Sequence, residues 1–126
     1  MIKFDDDKVL LLHALLIKET GGLDGVRDHG ILNSAIESAY QTFDGKELFP
    51  TKLEKAARLG FGLVSNHAFV DGNKRIGVFV MLSFLEMSGY HFDFTNDELI
   101  HIGQSLADGT MKYEDLLMIL KSKDWE

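Results

Sequence analysis

The densest chemistry in the chain lies in one short run, Asn66 to Gly77, which reads NHAFVDGNKRIG between apolar stretches. It holds a histidine, a carboxylate, amides, two cations and two glycines. Buried without partners, such groups would cost roughly 2–7 kcal/mol for each neutral polar group and far more for a bare charge. Helical spacing of apolar residues predicts a helix over Asn73–Met87, so the run forms the turn that leads into it. A helix start offers unpaired N–H groups and about half a unit of positive charge, which together make an anion site. Gly72 would let the backbone approach a ligand closely. Lys74 and Arg75 add full charges in the first turn, where they disfavour the helix unless an anion faces them.

Asp71 would repel that anion unless a cation bridges the two. Mg²⁺ suits the task, because it takes one or two protein carboxylates and fills its shell with phosphate oxygens and water. His67 stands four residues before Asp71. An imidazole, with an ordinary pKa of about 6.5, can accept a hydroxyl proton near neutral pH. Base, metal ligand and anion cradle in one turn point to transfer of a phosphorus-containing group to a hydroxyl. A plainer reading makes Asp71-Gly72-Asn73 a turn and N-cap, with Lys74 and Arg75 solvated. Spacing by itself leaves both readings standing.

The elements around the turn are predicted to be helices. Val9, Leu10, His13, Ala14 and Ile17 mark one face of a first helix, with Asp5 to Asp7 at its start, where carboxylates suit the macrodipole. Thr20 to Gly30 carries four glycines and reads as a loop or short hairpin. Ile31 to Thr42 is the second predicted helix, followed by a turn through Asp44 and Gly45. Pro50 precedes Thr51-x-x-Glu54, a capping box that opens a helix with Leu53, Ala57, Phe61 and Val64 on one stripe. The Asn73–Met87 helix is apolar nearly all round and is expected at the centre of a bundle. Gly89 closes it, and Tyr90 to Phe94 could be a short extended piece. A second box, Thr95-x-x-Glu98, opens a helix carrying Leu99, Ile102 and Leu106, and a last helix runs from Tyr113 to about Lys121. The fold class is therefore all-α, a compact helical bundle.

With 126 residues, the chain is expected to form a single domain spanning 1–126 that buries roughly two-thirds of the surface its unfolded form exposes. The absence of cysteine excludes a disulfide framework and a thiolate zinc site, and a cytoplasmic location is expected. The acidic start does not resemble a signal peptide, and the longest apolar stretch, Ile76 to Leu85, is too short to cross a bilayer, so no membrane partner is expected. A net charge of −7 argues against direct nucleic-acid binding, although a small nucleotide needs only a few placed donors.

Several features tempt and lead elsewhere. Gly60-Phe61-Gly62 looks like part of a dinucleotide fingerprint, but it lies within a helix with no strand before it, so close helix packing is the expected role. His13 is expected to be a hydrogen-bonded core residue, and His29, His91 and His101 have no partners at metal-ligand spacing. Ser34-x-x-Glu37 matches a capping box inside a helix and is read as accidental.

His67-Ala-Phe-Val-Asp71-Gly72-Asn73-Lys74-Arg75 resembles the motif of the Fic/Doc superfamily, specifically its Doc (death-on-curing) branch. The stretches Gly21 to Ala39 and Pro50 to Ala57 resemble it too, so the likeness covers most of the chain. The resemblance implies a helical fold with a buried central helix behind the motif loop, and a glycine-rich flap at Gly21 to Gly30 that aligns a target segment. It implies His67 as general base, Asp71 as Mg²⁺ ligand, Gly72, Asn73, Lys74 and Arg75 as phosphate-binding residues, and Phe69 as an anchor for the loop. Fic enzymes that transfer AMP usually have glycine where this chain has Lys74 and a second arginine where it has Val78.

A different binding of the nucleotide follows from those two departures. The Doc branch implies a toxin of a toxin–antitoxin system that moves the terminal phosphoryl group of ATP, or another nucleoside triphosphate, to a hydroxyl of a protein, characteristically a translation elongation factor. Translation would be inhibited. AMP transfer of the Fic type is the alternative enzyme activity; a non-enzymatic binding module is a rival of another class, and a DNA-binding helical protein a weaker third. Self-restrained Fic proteins carry a Ser/Thr-x-x-x-Glu-Gly/Asn motif, whose nearest match here, Thr110 to Glu114, is followed by Asp115. Restraint is thus expected from a separate antitoxin.

Overall fold

The computed structural model describes residues 3–125. Among them are six α-helices and one small exposed hairpin: α1 (Asp6–Thr20), α2 (His29–Glu37), β1 (Thr42–Phe43), β2 (Lys46–Glu47), α3 (Lys52–Asn66), α4 (Asn73–Met87), α5 (Asn96–Asp108) and α6 (Tyr113–Trp125). The all-α expectation holds, and local chemistry explains most of the boundaries. Asp5 caps α1 by accepting from the Lys8 N–H, and both predicted capping boxes form, Thr51 with Glu54 on α3 and Thr95 with Glu98 on α5.

Differences from the sequence reading fall where a distant or side-chain partner decides. The second helix begins at His29 and not Ile31, because Asp28 accepts from the Ile31 N–H and so becomes the cap. It stops at Glu37 and tightens into a 3₁₀ turn, Ser38–Tyr40, where Ser38 Oγ donates to the Ala35 carbonyl at 2.7 Å. Thr42 is therefore strand, paired antiparallel with Glu47 across a turn whose Asp44 and Gly45 both hold positive φ, 53° and 77°. The Thr20 to Gly30 stretch forms no hairpin of its own; Val26 bridges Phe69 of the motif loop. Tyr90 to Phe94 is not a strand but packs its rings one against the next, with centroids 5.4 and 6.3 Å apart. The last helix continues past Lys121 to Trp125.

The centre of the bundle is shared. α3 packs against α2, α4, α5 and α6, while α4 packs against α1, α3 and α5. α4 buries Ile76, Val80, Met81 and Phe84 but leaves Phe79 40% exposed, so it is not enclosed all round. The α3–α4 crossing is close because glycines line it: a Cβ at Gly60 would meet Met81, and one at Gly77 would meet Val64 and the Gly60 carbonyl. The packing role expected for Gly60 is thus observed. Lys55, fully buried, ion-pairs with Glu47 at 3.0 Å and donates to the Phe49 carbonyl, tying the hairpin to α3. That crossing sets the end of α3 beside the start of α4, and the motif loop joins them.

Candidate active site

α3 ends at Asn66, and His67 takes the C-cap position with φ 51° and ψ 50°, a left-handed conformation that few non-glycine residues adopt. Neighbouring bonds hold it there. Arg27 Nε donates to the His67 carbonyl at 2.7 Å and Nη2 to the Asn66 carbonyl at 3.2 Å, capping carbonyls that the helix cannot use. The Arg27 and Asp28 N–H groups both donate to the Ala68 carbonyl, and the Val70 N–H donates to the Gly25 carbonyl at 3.0 Å. Gly21 to Asp28 is thereby laced to the motif loop. His67 itself is exposed. Its Nδ1 lies 3.0 Å from the Ser65 carbonyl, which can only accept, so Nδ1 carries a hydrogen and, in the neutral ring, Nε2 holds the free lone pair.

Phe69 is 1% exposed and stacked on the His13 ring, an anchor for the loop. The Asn73 side chain is spent on it: its oxygen accepts from the Phe69 N–H at 2.9 Å and its NH₂ donates to the Phe69 carbonyl at 3.0 Å. What Asn73 offers a ligand is therefore its backbone N–H. Gly72 caps α4 with φ 79° and no side chain among the described residues caps that helix, so the first-turn N–H groups are left to an outside partner. Gly72 is buried, and a Cβ on it would meet Ile17 and His13. Glycine is needed here for the positive φ and for packing against α1.

The Asp71 carboxylate accepts from the Leu23 N–H at 3.1 Å and the Gly72 N–H at 2.8 Å, with Arg75 Nη2 3.8 Å away. Those two N–H bonds, chiefly, hold its pKa below the ordinary carboxylate value, with Arg75 and His13 adding smaller effects. Asp71 is thus anionic, and the lone pairs not used by N–H groups remain open to a cation. No cluster of three or more His, Cys, Asp or Glu exists among the described residues, so a metal here would take most of its ligands from substrate and water. That donor set fits Mg²⁺. Arg75 Nη1 donates to Thr20 Oγ1 and to the Gly21 carbonyl at 2.9 Å, both at the end of α1. Lys74 is exposed and forms no ion pair among the described residues.

All six expected site residues, His67, Asp71, Gly72, Lys74 and Arg75 from their spacing and Asn73 from the family resemblance, line one cavity of about 410 Å³ together with Val70. A second and more apolar cavity of about 590 Å³ meets it at Lys74 and Arg75 and runs between α1, α4 and α5 past Phe79, Leu82, Leu99 and Ile100. Thr110, in the near match to the inhibitory motif, bonds to Asp108 beside the start of α6. Sequence reasoning missed Arg27 and the His13–Asp71 contact. A basic side chain in a loop rich in glycine and aspartate was the available signal for the first.

The sequence model of the Fic/DOC family matches residues 3–85. Toxin Doc of Mycolicibacterium smegmatis (strain ATCC 700084 / mc(2)155) is 41% identical over 69 residues, which make up 55% of this chain and 53% of that protein. The chain thus spans about half the length of the curated relative it matches. Over most of its helical core and the whole of the motif loop, the chain belongs to the Fic/DOC family, in its Doc branch.

Proposed function

We propose that the chain is a Doc-type toxin that transfers the terminal phosphoryl group of a nucleoside triphosphate, ATP in the first instance, to a Ser or Thr hydroxyl of a protein. One observation carries the reading: an imidazole with a free Nε2, an anionic carboxylate, an uncapped helix start and two cations line a single cavity. The target hydroxyl oxygen forms the new bond to the terminal phosphorus, the bond to the bridging oxygen breaks, and the nucleoside diphosphate leaves with that electron pair. His67 Nε2 receives the hydroxyl proton. The α4 N–H groups and Arg75 face the charge on the phosphate oxygens; Nη1 of Arg75 is engaged by α1, which leaves its remaining donors for phosphate. Mg²⁺, held by Asp71, would offset phosphate charge and align the reacting oxygens. Positioning and electrostatics do most of the work, as in phosphoryl transfers generally.

The protein substrate by this reading is a translation elongation factor, the setting is the cytoplasm, and a separate antitoxin supplies restraint; the family resemblance supports these points. The departures at Lys74 and Val78 favour terminal-phosphate transfer over AMP transfer. ATP labelled at either the α or the γ phosphate, incubated with the protein, Mg²⁺ and a cell lysate, distinguishes the activities. Label from γ alone is expected on a protein band. Label from α would establish AMP transfer instead, and no label from either would favour a binding module.

A further inference from the structure

His13 has more to do than fill the core. It sits in the middle of α1, 1% exposed, with its ring stacked on Phe69 at a centroid distance of 3.8 Å and an interplanar angle of 12°. A residue needed only for packing there could be Leu or Phe. Yet Nε2 lies 2.7 Å from the Asp71 carbonyl oxygen. A carbonyl only accepts, so Nε2 carries the hydrogen. Nδ1 is 3.5 Å from Asp24 Oδ1 in the Gly21 to Asp28 loop, so the ring stands between that loop and the motif turn.

The bonded carbonyl belongs to the peptide that joins Asp71 to Gly72. α4 has no use for it, since the first intrahelical acceptor is the Gly72 carbonyl, which receives the Ile76 N–H. In a planar trans peptide the C=O and N–H point opposite ways. His13 grips the C=O, and the N–H at the other edge, that of Gly72, donates to Asp71 Oδ1 at 2.8 Å. Rotating this peptide would break both bonds together and would move Gly72 from the left-handed conformation that starts α4. We infer that His13 is a positioning residue: its Nε2–H fixes the Asp71–Gly72 peptide plane, and through that plane sets where the Asp71 carboxylate and the first α4 N–H groups point. The role in catalysis rests on the proposed phosphoryl transfer, but the peptide-plane role does not.

The experiment uses the full chain, with His13→Leu to keep apolar volume and remove the donor, and His13→Gln to return an amide N–H at a similar reach. In the labelled-ATP assay, His13→Leu is expected to raise the Mg²⁺ concentration for half-maximal activity by roughly 10–100-fold, the usual scale for losing a group that orients a metal ligand. Turnover at saturating Mg²⁺ should fall much less, and His13→Gln should recover most of the loss. Without nucleotide or metal, hydrogen exchange at residues 70–73 should quicken in His13→Leu and not in His13→Gln, with α6 unchanged. A ¹⁵N spectrum of the wild-type histidines should show His13 protonated at Nε2.

Unchanged exchange and Mg²⁺ dependence in His13→Leu, or Gln behaving no better than Leu, would overturn the inference. So would a wild-type His13 with a bare Nε2, a result that stands even if His13→Leu does not fold. If no phosphoryl transfer is detected, the exchange and ¹⁵N measurements still decide the His13 question separately from the proposed function.

Discussion

Gly77→Ala tests the α3–α4 crossing on which the site depends, because two ordinary rules give opposite signs for it. Helix propensity alone predicts a gain of about 1 kcal/mol, since glycine inside a helix is that much worse than alanine. Packing predicts the reverse. An added Cβ would lie 2.3 Å from Val64 Cγ2 and 3.1 Å from both the Gly60 carbonyl oxygen and the Val64 nitrogen. Carbon atoms rest about 3.5–4.0 Å apart, so the first contact overlaps by roughly 1.2–1.7 Å. Valine in a helix has one strongly preferred rotamer and cannot swing clear cheaply. The other two contacts are backbone atoms, which yield only if the helices separate.

Overpacking of this kind costs about 1–3 kcal/mol, and two backbone contacts place it at the upper end. After the propensity gain, a net loss of about 1–2 kcal/mol remains, or a Tm lower by roughly 4–8 °C for a chain of this size. Thermal and urea unfolding of Gly77→Ala, Val64→Ala and the double variant measure this directly. Val64→Ala empties the space that the new methyl needs, so the double variant should be less destabilised than the two single losses added, by about 1 kcal/mol or more. Because α3 ends at Asn66, just before His67, and α4 begins at Asn73, Gly77→Ala should also lower phosphoryl transfer by more than its unfolded fraction explains. A Gly77→Ala protein as stable as wild type, or simple additivity in the cycle, would refute the packing argument.

Three further outcomes are expected. His67→Ala and Arg75→Ala should unfold at nearly the wild-type temperature yet lose transfer, by about 10²–10⁴-fold for the base and 10²–10³-fold for the charge-stabilising donor; full cellular toxicity in either would sink the assignment. Arg27→Gln removes the bonds to the Asn66 and His67 carbonyls at an exposed position, so kcat/KM should fall by roughly 10-fold with a Tm change of a few degrees, read by steady-state kinetics and calorimetry. The Asp71 carboxyl, its folded pKa depressed by the Leu23 and Gly72 N–H groups, contributes stability above its unfolded pKa of about 3.9 and loses it as pH falls through the lower folded value. Wild type should therefore exceed Asp71→Asn in urea midpoint near neutrality, with the gap closing below about pH 3.9, whereas a pH-independent gap would contradict the cause given for the shift.

How far the sequence could be read depends on how far each determinant acts. The starts of α3 and α5 were legible because Thr51 meets Glu54 and Thr95 meets Glu98 within one turn. The bounds of α4 were legible from its apolar run. The end of α2 was not: a serine bonding back to Ala35 and a strand pair across Asp44-Gly45 both leave a helical apolar pattern intact. The residues lining the cavity could be named together because they are nearly contiguous. Their supports could not, since Arg27 reaches the His67 carbonyl from 40 residues away, Arg75 reaches the Gly21 carbonyl from 54, and His13 reaches the Asp71 carbonyl from 58. No local period encodes those pairings; the packing of α1 against α4 brings about those of Arg75 and His13, and the pairing of the Gly21 to Asp28 loop with the motif loop brings about that of Arg27.

The same packing answers why two cations can stand at the start of a helix. α1 ends at Thr20, and its terminal carbonyl region carries the negative end of that helix dipole. Arg75 donates into this end through Thr20 and Gly21, so a charge that disfavours the start of α4 is favoured by the close of α1. Its guanidinium is thereby aimed before any ligand arrives. Among the described residues Lys74 has no such partner, and it sits where the polar cavity meets the apolar one. Neighbours in sequence, the two cations thus differ in preorganisation: one is a fixed set of donors, the other a point charge on a flexible stem. Under the proposed function, an Arg75→Lys change should remain deficient despite conserving charge, because an ammonium cannot hold the α1 end and contact phosphate with the same geometry.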